Sequence, residues 1–285
     1  MNNINIGFIG AGKVAVTLGS YFKSRGACVN GYFSKTKASA KNASNLTNSQ
    51  EYFSIDALIN DCNFIFITTP DDEISNVWNK ILKYNLDKKI IIHTSGAHSS
   101  KIFCGIENTK ACGFSLHPMY AFSKKDGSFK NLDNAFFTLE GSGEKLFQIE
   151  GFIKSLGNTV FLINDEQKPL YHLANVMASN FVLALISQSV EILDEIGIPN
   201  DKAICALMPL VLPNILNIKD CGTTSSLTGP VERNDICTIK KHLEVASISQ
   251  KNLYKDLSKV LLNIAKDKNP TRDYTELFKI LNSDI

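Results

Sequence analysis

The sequence has no Cys-x-x-Cys pair, no run of basic residues and no Gly-x-Ser-x-Gly turn. Its seven cysteines, an odd number spread along the chain, make no disulfide framework and read as reduced core thiols at positions such as Cys28, Cys62 and Cys205. A net charge of only +2, with no basic run, argues against nucleic-acid and polybasic membrane partners. The missing elbow argues against a serine hydrolase. His93, His98 and His117 lack zinc-ligand spacing, so no metal site is expected. The most apolar stretches, such as residues 204–216, contain Pro209 and Pro213 and read as too short to span a bilayer. The first residues enter a strand pattern at once, which leaves no room for a signal peptide, and a cytoplasmic protein is expected. No repeat or low-complexity segment interrupts the 285 residues, enough for one large or two medium domains.

What is present begins at residues 4–18. A short apolar run turns sharply through Gly10-Ala11-Gly12 and leaves as a helix through Lys13, Val14 and Ala15. Gly10 permits the tight turn, Gly12 lets a pyrophosphate approach the backbone, and Ala15 lets the helix pack closely on the strand. The helix N-terminus offers N–H groups and a positive dipole end to phosphates. A lone Gly-x-Gly-x-x-Ala is weak evidence, but a strand before it and a helix after it mark a dinucleotide site. At the end of the next strand, residues 28–33, an NAD site usually carries Asp or Glu. Here Ser34 and Lys35 stand with Lys37 and no acid, a set that suits a 2′-phosphate and hence NADP(H).

Further apolar runs at residues 64–68, 89–93, 113–118, 135–139 and 159–163 read as strands, with helical segments between several of them. A minor strand is expected near Tyr52, and Asp71 or Asp72 as the cap of a helix. The alternation implies an α/β fold, a doubly wound, mostly parallel sheet whose ligand sits beyond the C-terminal strand ends. Gly10, Ser34, Thr69 with Pro70, Ser95 and His117 fall at that edge. From about Asn164 strand runs cease, so residues 1–163 read as a dinucleotide-binding domain and 164–285 as an all-α domain.

The first helix of that second part is expected over residues 169–195, apolar nearly all round and so buried. A second, capped by Asp201, should kink or break at Pro209 and Pro213. On the first, His172, Asn175 and Ser179 share one face, with Lys168 one turn earlier and Asn180 beside them. Buried polar groups need partners, from the protein or from a substrate. Reduction of a ketone needs a hydride and a proton; Lys168 or His172 could give the proton, and the residues do not separate the two. Asn175 could fix the carbonyl, with Ser179 and Asn180 on neighbouring oxygens. Residues 225–235, with Thr228 and Arg233, read either as an anion-binding loop or as an ordinary connection capped by Asp235.

These motifs, together with Thr69-Pro70-Asp71-Asp72-Glu73, His93-Thr94-Ser95-Gly96, Ser115-Leu116-His117-Pro118, Tyr171-His172, Ala178-Ser179-Asn180 and Leu227-Thr228-Gly229-Pro230, occur in one order. The whole resembles the Rossmann-like reductases of the 6-phosphogluconate dehydrogenase-like superfamily, in particular a subgroup that includes an alternative ketopantoate reductase. The resemblance implies a catalytic lysine, here Lys168, and a homodimer built through the helical domain. It implies reduction of a small 2-oxo acid by NADPH, with ketopantoate to pantoate as the specific expectation. Imine reduction of the pyrroline-5-carboxylate reductase type and non-catalytic NADPH sensing are the alternatives. The subgroup loop often reads Arg-Gly-Asp where this chain has Arg233-Asn234-Asp235, so a backbone-approach role at that position is in doubt.

Overall fold

In the computed structural model, residues 4–283 are described. The chain divides into two compact units, Met1–Val182 and Leu183–Ile285. The first is an eight-stranded sheet among the described residues. Its strands are β1 (Asn5–Ile9), β2 (Cys28–Phe33), β3 (Gln50–Glu51), β4 (Phe64–Ile67), β5 (Ile90–His93), β6 (Cys112–Pro118), β7 (Phe136–Gly141) and β8 (Thr159–Leu162). They lie in the order β3-β2-β1-β4-β5-β6-β7-β8, all neighbours parallel except β6 and β7. The strand order reverses beside β1, where the crossovers from β1 and β4 leave in opposite directions and open a crevice at the strand ends.

The helices of this unit are α1 (Lys13–Ser24), α2 (Lys37–Thr47), α3 (Ile55–Asp61), α4 (Ile74–Ile81), α5 (Lys145–Ser155) and α6 (Lys168–Ala178). Two apolar clusters sandwich the sheet. One joins Phe8, Phe22, Tyr32, Phe66 and Phe152; the other joins Ile9, Ile65, Ile67, Trp78 and Phe103. β4 and β5 are buried at every position, as their continuous apolar runs require of central strands covered on both faces. No side chain caps α4: Asp71 and Asp72 sit instead in a single 3-10 turn ahead of it. The cysteines do not form the core that their positions suggested; Cys62 is buried, while Cys28, Cys104, Cys205, Cys221 and Cys237 are exposed thiols.

The division after Val182 keeps α6 with the sheet, later than the grammar change at Asn164 suggested. Lys168 and Tyr171 of α6 are bonded to side chains of β6, which accounts for it. The single helix expected over 169–195 is two, because Ser179 leaves helical geometry (φ −121°, ψ −70°) between α6 and α7 (Asn180–Glu195). Nor is it buried within the chain: Leu170, Leu173, Met177 and Phe181 are all exposed.

The second unit continues α7 and adds α8 (Asn200–Ser226), α9 (Pro230–Arg233), α10 (Ile236–Val245), α11 (Ile248–Lys268) and α12 (Thr275–Asn282). Its core joins Leu227, Val231, Ile239, Leu262, Tyr274, Leu277 and Leu281. α8 runs through both prolines, and its one non-helical residue is Gly222 (φ 76°, ψ 172°). By length and composition alone, residues 200–233 are long and apolar enough to cross a membrane, contrary to the reading from the prolines, and so are residues 168–195 if the break at Ser179 is passed over. Leu183, Leu210, Leu212 and Leu216 are exposed within the chain.

Candidate active site

At the C-terminal end of β1, Gly10 adopts φ +110°, and a Cβ there would lie 2.8 Å from the Thr68 carbonyl carbon. Only glycine fits. Its amide donates to the Phe33 carbonyl (2.8 Å), and the Thr68 amide donates to the Ile9 carbonyl (2.9 Å), so the ends of β1, β2 and β4 are held together. Gly12 begins α1 in extended geometry with no side chain capping the helix, and a Cβ built on it meets nothing within 4 Å. The helix start thus faces open space with its first N–H groups uncapped by side chains.

That space is a cleft of about 560 Å³. Of the residues expected to bind a cofactor, Gly10, Gly12, Ser34, Lys35, Thr69 and Pro70 line it. The Thr69 hydroxyl is buried without a hydrogen-bond partner among the described residues, a polar atom that a ligand in the cleft would satisfy. Lys13 and Val14 are not among the cleft-lining residues; Lys13 is exposed and Val14 packs on the core. Sequence reasoning assigned no role to Glu73, Lys80, Ser39 or Lys125, which also line the cleft. The first two are one helical turn and more beyond Pro70. Lys125 comes from the distant connection between β6 and β7.

Ser95 does not line the cleft. Its hydroxyl donates to Asp71 (2.6 Å) and accepts from the amides of Ala97 and His98 (3.2 and 3.1 Å), which ties the ends of β4 and β5. The Ser95 carbonyl accepts from the Ser115 hydroxyl at 3.4 Å. Ser115 in turn accepts a hydrogen bond from the Lys168 ammonium, which is only 1% exposed. Burial pulls the Lys168 pKa down to about 8, against the carboxylates of Glu140 and Asp71, which hold it up. Glu140 stands directly opposite Ser115 in the antiparallel β6–β7 pair and accepts from the Ser100 amide and hydroxyl (2.6 and 2.9 Å).

Beside this chain lie three imidazoles. His93 is fully buried, and burial followed by the Lys168 charge lowers its pKa to about 3. Its Nε2 is 3.2 Å from the Ser99 carbonyl. His117 is lowered to about 4, by burial, then Lys168, then His172. It is therefore neutral at pH 7, and its Nδ1 lies 2.6 Å from the Tyr171 hydroxyl. His172 presents a buried Nδ1 with no hydrogen-bond partner among the described residues. Gly96 separates the last two rings: a Cβ there would lie 2.9 Å from His172 Nδ1 and 3.0 Å from His117 Nε2. The sequence motifs contain Tyr171 and Gly96 but give neither a role. The signal for Tyr171 was available, since it stands one helical turn beyond Lys168 and beside His172.

The rest of the expected polar stripe is spent within its own helix. The Asn175 amide donates to the Tyr171 carbonyl (2.8 Å). The Ser179 hydroxyl is shared between the Asn175 carbonyl (2.6 Å) and the Asn180 side chain (2.9 Å), and Ser179 and Asn180 are exposed. Thr228 and Arg233 belong to the second unit, both exposed. There Asp235 caps α10 by accepting from the Thr238 amide (3.0 Å), the ordinary reading of that loop. Asn234 takes the left-handed conformation (φ 57°) that a glycine would adopt.

Among known proteins, residues 1–118 match the Rossmann-like domain family, and residues 135–261 match the family described as a domain of unknown function (DUF2520). No curated protein matches the chain. Among solved structures, protein TM1727 from Thermotoga maritima is 26% identical, with a TM-score of 0.72 over 92% of this chain and 99% of its own. A candidate NADP oxidoreductase from Bacteroides fragilis, BF3122, is 20% identical, with a TM-score of 0.73 over 92% and 98%. Pyrroline carboxylate reductase from Plasmodium falciparum, solved with NADP bound, is 14% identical, with a TM-score of 0.59 over 94% and 97%. The chain thus carries a Rossmann-like domain over residues 1–118, joined to a region that matches a second family over residues 135–261.

Proposed function

We propose that this protein is an NADP(H)-dependent oxidoreductase that reduces a small 2-oxo acid, with ketopantoate as the specific candidate. The observation that carries the reading is the cleft over the glycine turn, where Gly12 faces open space, Thr69 keeps an unsatisfied hydroxyl, and Ser34 and Lys35 stand where an acid would select NAD. The fold shared with structures named for NADP supports it. Bound there, NADPH supplies a hydride.

The chain supplies the rest. Lys168, with a pKa of about 8, is charged at neutral pH and close enough to neutrality to release its proton. His117 is uncharged and has no ring cation to give up a proton, so Lys168 is the proposed acid, with His172 as the rival. The Nδ1 of neutral His117 shares a hydrogen bond with the Tyr171 hydroxyl, which holds the ring in place. His172, with its unpartnered Nδ1, is the group left to hold an oxygen of the substrate. Ser115 holds the Lys168 ammonium in place.

A second reading, imine reduction, is favoured by the likeness to pyrroline carboxylate reductase over nearly the whole chain. An iminium carbon needs no proton on oxygen, so loss of Lys168 would then be tolerated. NADPH oxidation followed by absorbance with ketopantoate, other 2-oxo acids and cyclic imines separates the two. Turnover of imines alone overturns the 2-oxo acid reading, and binding without any turnover leaves a cofactor sensor.

We further propose a cytoplasmic homodimer. The exposed apolar side chains of α7 and α8 would be buried by a second copy. Twice the chain mass by light scattering in detergent-free buffer is the expected result. A monomer, or a protein that needs detergent to stay dispersed, would rule it out.

A further inference from the structure

We propose that Lys125, on the connection between β6 and β7, is a further cofactor-selecting residue that binds the 2′-phosphate of NADP(H). The proposal rests on the NADP(H) reading above and extends it to a residue far from the strand end where such selection is usually found.

The connection spans residues 119–135 and carries no strand. Lys125 is exposed, yet the segment around it is pinned. Tyr120, Phe122 and Phe129 pack against the first core cluster. The Tyr120 and Phe122 rings meet edge-on at 5.0 Å, Phe129 lies 5.8 Å from the Tyr21 ring, and the Tyr120 hydroxyl donates to the Lys130 carbonyl at 2.9 Å. Anchored on both sides, the loop brings Lys125 to the first turn of α2, where its ammonium donates to the Ser39 hydroxyl at 3.2 Å. Both residues line the cleft that holds Ser34 and Lys35.

Charge gives the arrangement its meaning. The cleft is lined by Lys35, Lys80 and Lys125 against one carboxylate, Glu73. Lys125 has no carboxylate partner among the described residues, only the neutral Ser39 hydroxyl. Cations gathered in one small cleft repel one another unless an anion shares it. NAD(H) and NADP(H) both carry the pyrophosphate, which belongs at the Gly12 helix start. The extra charge of NADP(H) is the 2′-phosphate, close to a dianion at neutral pH. Ser34, Lys35 and Ser39 mark the place beside β2 and α2 for that group, and Lys125 brings a further cation there through its bond to Ser39.

The test measures dissociation constants of NADPH and NADH for the full-length protein, for Lys125→Ala and for Lys125→Arg. Adenosine 2′,5′-bisphosphate competes as a probe that lacks the nicotinamide. Loss of one charge-assisted contact at an exposed site should weaken NADPH and the bisphosphate about tenfold in Lys125→Ala, with NADH changed less than twofold. Lys125→Arg should keep most of the affinity. NADP+ should also slow tryptic cleavage after Lys124 and Lys130 in the wild-type protein, and NAD+ should not. Equal weakening of NADPH and NADH, or an unchanged preference in Lys125→Ala, overturns the assignment while leaving NADP(H) as the cofactor. A wild-type protein that binds the two cofactors equally overturns both.

Discussion

Over the glycine turn the protein leaves polar groups unmet, whereas around Lys168 it meets nearly all of them. Among the described residues, the cleft end has a helix start uncapped by side chains, a buried threonine hydroxyl without a partner and a neutral hydroxyl as the mate of an ammonium. The lysine end has an unbroken series of bonds from Asp71 through Ser95 and Ser115 to Lys168, with His93 and His117 held neutral beside it. The first region is built to gain from a ligand that arrives from solution. The second is built to hold a proton in one place before anything arrives. Stability and affinity should therefore respond differently to substitutions in the two.

The largest contrast is expected at Lys168. Lys168→Met should lower the reduction rate at least ~100-fold, as loss of a general acid does. It should leave NADPH affinity within about twofold, and it should not lower Tm. The reason lies in the sign of the pKa shift. A lysine whose folded pKa is about 8, below its usual 10.5, stabilises the fold only at alkaline pH, and that contribution is lost as pH falls from 10.5 to 8. At neutral pH the buried charge costs stability, so removing it relieves the fold. A fall in Tm of ten degrees or more would mean that Lys168 is structural.

The two glycines of the turn come next, measured by NADPH titration and thermal melting. Gly12→Ala should weaken NADPH about tenfold or more with an unchanged Tm, because the methyl enters open space needed by the pyrophosphate. Gly10→Ala should instead destabilise by roughly 1–3 kcal/mol, because it meets backbone at a strained φ. If both variants lost only affinity, the clash at Gly10 would be unimportant. At the β2 end, Ser34→Asp combined with Lys35→Ala should weaken NADPH about tenfold more than NADH; equal losses would place the 2′-phosphate elsewhere.

The last contrast is in pH dependence. His93 and His117 bind fewer protons folded than unfolded below pH 6.5, so stability should decline as pH falls from 6.5 toward their folded values of about 3 and 4. Chemical denaturation at pH 7 and pH 5 checks this, and His117→Asn should flatten the slope. An identical slope in the variant would show that His117 does not contribute.

Much of the sheet could be read directly because its central strands are apolar runs bounded by turn residues, and β2 falls where those runs place it. What could not be read depended on partners distant in the chain. Asp71 looked like a helix cap until Ser95, 24 residues on, claimed its carboxylate. Nothing local announces the break at Ser179, since neither glycine nor proline stands there, and the serine turns back onto Asn175. Pro209 and Pro213 pointed to a kink, yet the helix passes through both and yields at Gly222. Of the candidate site, the glycine turn and Lys168 were visible from motif and spacing. Lys125 was not, because 86 residues separate it from Ser39 and its loop has no periodicity to interpret.

The connection that presents Lys125 starts where β6 ends, one residue after the His117-Pro118 pair. With Lys125 and His117 in their proposed roles, its length would bear on two properties at once. An insertion or deletion there would shift coenzyme preference and catalytic rate together, so a variant selected for one should arrive with the other already altered.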